Sequence, residues 1–247
     1  MFRTVLTLAT LVLLSQSLSD TICLAQTPHQ NVSTPTFDCS KVVVPLPTLL
    51  CSSESAASAD WEITSAYWAL FFSLEPATQA GFRRAHDEFF KSLTQNCALP
   101  NVAISFQPSP AQVTCVVTAY RNRANGYRAR LAGDALAEAN LSPQRHKQIQ
   151  DALIALGFLS GKSEGVFESQ TRAAIKAFQS NRHFVQSDFL TADQRQLLFQ
   201  QSEKAQAEKR IGEPISSSAK PGGSDTAPSP AAPPAADQPR MAKKLNL

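Results

Sequence analysis

The chain has 247 residues, with 23 Lys and Arg against 20 Asp and Glu, and a net charge of +3. So even a balance excludes a protein that holds nucleic acid or another polyanion by bulk charge. Seven of the 16 prolines (Pro214, Pro221, Pro228, Pro230, Pro233, Pro234 and Pro239) fall close to the C-terminal end. Without that segment and an apolar N-terminus, roughly 170 residues remain, enough for one medium domain or two small ones and too few for a large single-domain enzyme.

Residues 1–25 carry Arg3 ahead of an apolar run from Val5 to Leu14. Such a run makes about 15 Å of helix against a hydrocarbon core of about 30 Å, the pattern of a signal peptide rather than an anchor. A cut after Ala25 leaves Gln26 first, and residues 26–36 read as a flexible mature N-terminus. The alternative, a lipoprotein cut before Cys23, lacks the Leu and small residues expected ahead of the cysteine, where Asp20, Thr21 and Ile22 stand. No later segment is long and apolar enough to span a bilayer, so the mature chain is expected in the periplasm or secreted.

Export removes Cys23 and leaves Cys39, Cys51, Cys97 and Cys115. In an oxidising compartment an even set of cysteines reads as disulfides, and four allow three pairings that sequence alone does not separate. Cys39 with Cys51 and Cys97 with Cys115 is the favoured arrangement, because each pair bounds a short segment beside a helix. Zinc ligands would need closer spacing, so no metal is expected.

Helical periodicity follows. Ser52-Ser53-Glu54 offers N-cap chemistry, and Ile63, Tyr67, Leu70 and Leu74 recur on one face until Pro76. A second helix is predicted over 78–95 with Phe82, Ala85, Phe89 and Leu93 inward, and a third with Val113, Val117, Tyr120, Ala124, Tyr127 and Leu131 inward. Residues 37–139 therefore predict a disulfide-stapled three-helix bundle. Residues 141–201 predict a second, cysteine-free three-helix module able to fold alone. Its helices carry Ile149 and Leu153, then Ala174, Ile175 and Phe178, then Leu197 to Phe199 behind a Thr191 cap. The Pro- and Ala-rich stretch 212–247 has too few bulky apolar residues to offset chain entropy and is expected to be disordered.

The module resembles a peptidoglycan-binding domain of the three-helix cell-wall-binding type. The likeness rests on IQDALIALGF (Ile149 to Phe158), Gly161, EGVF (Glu164 to Phe167), TRAAIKAFQ (Thr171 to Gln179) and the stretch from Phe189 to Gln194. Glu164 departs from the usual Asp and Glu168 from the usual Gly. The bundle resembles the LprI-like lysozyme-inhibitor family. That likeness is carried by Phe37-Asp38-Cys39, Pro47 with Leu50-Cys51, Asp60 with Tyr67, Phe90 before Cys97, and Cys115 with Tyr120 and Arg123. It departs from that pattern at Phe90, Thr94 and the PLPT step.

These resemblances imply peptidoglycan as one partner and a lysozyme, or another envelope protein, as a second. Arg172, Gln179, Asn181 and Arg182 are the expected peptidoglycan donors. Tyr120, Arg121, Arg123, Arg128 and Arg130 are the expected inhibitor surface, weighed against the plainer reading of a wet helix face whose tyrosines are core. His86, beside Asp87 and Glu88, is read as solvated rather than as a general base. No nucleophile motif accompanies it, so no catalytic residue, cofactor or enzyme activity is expected. The expected protein is an all-α, exported envelope protein that binds peptidoglycan.

Overall fold

The computed structural model describes residues 34–101 and 106–212. The expected signal peptide, residues 26–33 of the expected flexible N-terminus and the tail from 213 lie outside the described residues. Among the described residues every regular element is helical, as the periodicity requires: α1 (Pro45–Leu50), α2 (Glu54–Ser73), α3 (Pro76–Asn96), α4 (Pro110–Arg128), α5 (Gly133–Ala139), α6 (Pro143–Ala155), α7 (Ser169–Asn181) and α8 (Ala192–Gly212), with a 3₁₀ turn at Cys39–Lys41.

Helix α2 forms at the expected place because Ser53 caps it, its hydroxyl accepting from Ala56 N at 3.3 Å. It is more than one wall of a bundle. From Ala56 to Phe71 nearly every residue is buried, so α2 is the central helix and the others wrap it. Helix α3 begins at Pro76 rather than two residues later, since proline at the first helical position gives up no needed N–H. Its inward stripe is Phe82, His86 and Leu93, with Phe89 and Phe90 half-buried; Ala85 is exposed. Helix α4 starts from a full capping box between Ser109 and Gln112.

Cys39 is bonded to Cys51 and Cys97 to Cys115, with Cα separations of 5.9 and 5.7 Å. The first bond closes the segment carrying the 3₁₀ turn and α1, and the second ties the end of α3 to the first turns of α4. Asp60, buried in α2, accepts from both the N–H and the hydroxyl of Thr36 at 2.8 Å, which pins the chain ahead of Cys39 to the central helix. Burial pushes this carboxyl above its ordinary range.

A second core gathers Ile149, Leu153, Phe167, Ile175, Phe178, Leu190 and Leu198 from α6, α7, α8 and their connections. The described residues nonetheless belong to one compact unit. Val166 packs into the first core, and Trp61 of α2 meets His146 of α6 edge to face at 5.3 Å between centroids. Short α5, which the periodicity missed, lies between the two cores.

Candidate functional site

The module's surface is set by two side-chain clasps, each built from a glutamine. Gln150 of α6 holds the turn before α7. Its Oε1 accepts from Gly165 N at 2.6 Å, and its Nε2 donates to Val166 O at 2.9 Å and Thr171 Oγ1 at 3.0 Å. Gly165 has φ 87°, the left-handed region that favours glycine, and a Cβ there would also sit tightly, 3.3 Å from Lys147 Cγ. The turn delivers Phe167 to the core.

Gln179 of α7 holds the loop before α8. Its Nε2 donates to Phe189 O, Gln194 Oε1 and Ser187 Oγ, and its Oε1 accepts from Ser187 N at 2.8 Å. Arg172 forms a third anchor. It makes a bidentate pair with Glu138 of α5 at 2.5 and 2.7 Å, donates to Asp188 O at 2.6 Å, and lies over the rings of Phe72, Phe167 and Phe189.

These positions correct the expected binding set. Arg172 is 2% exposed and Gln179 is fully buried, so neither reaches a polymer outside the domain. At steps of three and four with Ile175 between them, both occupy the core-facing stripe of α7, and their polar ends are spent on the chain's own loops. Asn181 and Arg182 are exposed, as a ligand contact demands.

Beside them the chain turns at His183, with φ 57°, and displays Phe184 (36% exposed) and Val185 (88% exposed). The Phe184 ring leans on Phe178, 6.5 Å away, and its N–H donates to Gln179 O at 2.9 Å. Asn181, Arg182, Phe184 and Val185 are thus all exposed within one short stretch that carries a guanidinium, an amide and two apolar side chains. It offers hydrogen bonds to carboxylates and amides, and a ring against which a sugar face can rest. Sequence reasoning missed Phe184 and Val185, although two large apolar residues in a segment outside any helix were the available signal.

Residues 142–187 match a family model described as putative peptidoglycan binding domain. The match supports a C-terminal peptidoglycan-binding domain over this segment. The segment contains Gln150, Gln179, Arg172 and the exposed loop as far as Ser187, while Glu138, Asp188, Phe189 and Gln194, which these side chains hold, lie outside it. No curated protein and no solved structure matches the chain.

The expected inhibitor surface does not form one face. Tyr120 is 1% exposed and belongs to the core. The arginines divide because two residues are about 200° apart around a helix. Arg121 and Arg128 lie on the α2 flank, both within ion-pair distance of Glu62, and Arg128 also donates to Ala139 O. Arg123 and Arg130 lie on the α3 flank. Arg123 donates to Tyr127 Oη at 2.9 Å and Ala85 O at 3.0 Å, and Arg130 stacks over Phe82. Arg121 and Arg130 remain exposed.

His86 is likewise not solvated. It is 2% exposed, stacks on Tyr67 at 4.1 Å and meets Tyr127 Oη through Nδ1 at 2.7 Å. Burial, with Arg123 nearby, pushes its pKa down to about 3. His146 is buried too, its ring nitrogens 2.9 Å from Gly165 O and 3.0 Å from Glu138 O, and burial lowers its pKa against the pull of Glu138. Among the described residues no group of three or more His, Cys, Asp or Glu is placed to hold a metal ion, and no helix is long and apolar enough to cross a membrane.

Proposed function

We propose that this is an exported, non-catalytic envelope protein that grips peptidoglycan through the loop following α7 and carries the disulfide-bonded bundle to the wall. The observation that carries the reading is the coincidence of the matched segment with an exposed cluster of Asn181, Arg182, Phe184 and Val185 on an otherwise self-satisfied module. Two disulfides support a site of action outside the reducing cytosol. The bundle serves as a scaffold for another envelope protein in this reading. The narrower role of blocking a lysozyme-type muramidase rests on Arg121 and Arg130, the members of the expected cationic set that stay exposed.

Sedimentation of the full chain with purified sacculi tests the proposal. Wild-type protein is expected in the pellet, and the double variant Arg182→Ala, Phe184→Ala in the supernatant. A folded wild-type protein that stays in solution at every sacculus concentration sinks the wall-binding reading. Turbidity assays with a panel of muramidases test the narrower role, where loss of inhibition in Arg121→Ala or Arg130→Ala is the supporting result.

A further inference from the structure

We propose that the open groove between the first half of α3 and Arg130, just past the end of α4, binds short anionic peptides of small residues. The groove is shallow and open to solvent, with about 510 Å³ of space along it. Ala77, Ala80, Gly81 and Ala85 give the α3 side of the groove little side-chain bulk, with Leu74 and Phe82 its larger apolar members. A peptide backbone can lie close against that side only if its own side chains are small.

Two guanidiniums edge the groove. Arg84 folds back along α3 until its Nη2 lies 3.9 Å from where a Gly81 Cβ would stand. Arg130 is held over the Phe82 ring at 5.6 Å. Neither makes an ion pair among the described residues, whereas Arg121, Arg128 and Arg172 all do. No carboxylate lines the groove. The guanidinium fork matches a carboxylate in plane and spacing, and an aromatic ring that fixes one fork in advance lowers the ordering cost of using it. The ligand that completes these features carries carboxylates on a backbone with methyl-sized side chains. Peptidoglycan supplies that chemistry in its stem peptides, and this choice of source rests on the wall-binding reading.

The test is a chemical-shift titration of the full, isotope-labelled chain with the free tetrapeptide Ala-Glu-Ala-Ala, followed at the amides of Gly81 and Ala85. Saturable shifts are expected with this peptide, and affinity about ten-fold weaker for the Ala-Gln-Ala-Ala amide, whose side chain and C-terminus are both neutral. Arg84→Ala and Arg130→Ala should each cost a similar factor. Gly81→Leu should abolish binding by filling the groove. Its backbone is not left-handed, and leucine improves helix propensity there, so the variant is expected to fold. Equal binding of the neutral peptide, or wild-type affinity in a folded Gly81→Leu variant or in Arg84→Ala, overturns the proposal. Sacculus retention without tetrapeptide binding sinks the groove alone, and tetrapeptide binding without retention supports the groove while sinking the wall-binding reading.

Discussion

The bundle and the wall-binding module face the same difficulty, a core too small to order its own connections, and they meet it by different means. In the bundle the connections are tied covalently, and the core is a continuous set of rings around Tyr67. In the module no cysteine is present, and Gln150, Gln179 and Arg172 hold the loops by hydrogen bonds and one buried ion pair. The contrast shows what a family signature can encode. Three conspicuous polar residues of the module's motif fold it, and the exposed residues of the loop after α7, the proposed contact, are among those that they hold in place.

The sharpest way to break this comparison is at Arg172. Replacing it by Met strands the Glu138 carboxylate in the interior, and a loss of about 3–5 kcal/mol is expected in urea unfolding. Adding Glu138→Leu should restore much of it, because an apolar pair of similar volume removes the uncompensated charge. For the same reason a fragment beginning at Leu141 lacks the Glu138 partner and should be less stable than one beginning at Gly133. Equal stability of the two fragments would show that the ion pair contributes nothing to the module.

Reduction comes next, and it should divide the two regions. Sequence separations of 12 and 18 residues correspond to about 3 kcal/mol for each disulfide in the chain-entropy picture. Hydrogen exchange in reductant should therefore accelerate first in α1 and around Cys97, with the amides of α6 and α7 following later. Simultaneous loss throughout would mean that the contacts of Trp61 and Arg172 with the other region couple the two cores completely.

Removing a clasp should cost less. Gln150→Ala leaves Gly165 N–H and Val166 O without their partner, and Gln179→Ala does the same to Ser187 N–H. About 1–3 kcal/mol is expected for each. Gln179→Ala should also weaken sacculus binding indirectly, by freeing the loop that carries Phe184. Restored binding on lowering the temperature would separate this effect from loss of a ligand contact.

The histidines supply a test by pH. His86 has a folded pKa lowered to about 3, so below its ordinary value of 6.5 the unfolded chain takes up the proton first. Its stabilising contribution is present above pH 6.5 and is lost as pH falls toward 3, at up to about 1.4 kcal/mol per pH unit. His146, lowered by burial in the module, acts with the same sign. Asp60, raised by burial, acts with the opposite sign as pH rises above 3.8. The difference in slope between wild type and His86→Phe cancels the Asp60 contribution. A slope between pH 4 and 6 unchanged by His86→Phe would show that His86 is protonated in the folded protein.

Much of the fold was legible because a step of 3.6 residues leaves a trace in any helix with one buried face. The spacing Val117, Tyr120, Ala124, Tyr127 and Leu131 places α4, and the Ser52-Ser53-Glu54 stretch and the Thr191 cap place the starts of α2 and α8. Short elements left no such trace. Helix α1 hides in a Pro-rich step that reads as a break, although Pro45 opens a helix at the position where proline is tolerated. Helix α5 has seven residues, too few for a period to show. The site was less legible because polarity was taken for exposure. Arg172, Gln179 and His86 each lie in phase with buried neighbours, and the same spacing that located the helices places these three residues inward. Phase also divides the α4 arginines into two flanks, so a cluster in sequence is not a patch in space.

The smallest effect on stability falls where the comparison is cleanest. Val185 is 88% exposed in a loop whose geometry is set by Gln179 and Ser187. Val185→Ser removes apolar surface that folding does not bury, so stability should stay within about 0.5 kcal/mol of wild type. If the loop is the wall contact, retention on sacculi should fall nonetheless, giving a variant with native stability and impaired binding. Gln179→Ala should do the reverse, losing stability first and binding as a consequence. Finding both losses in Val185→Ser, or neither, would mean that loop and clasp do not have the separate duties their burial assigns them.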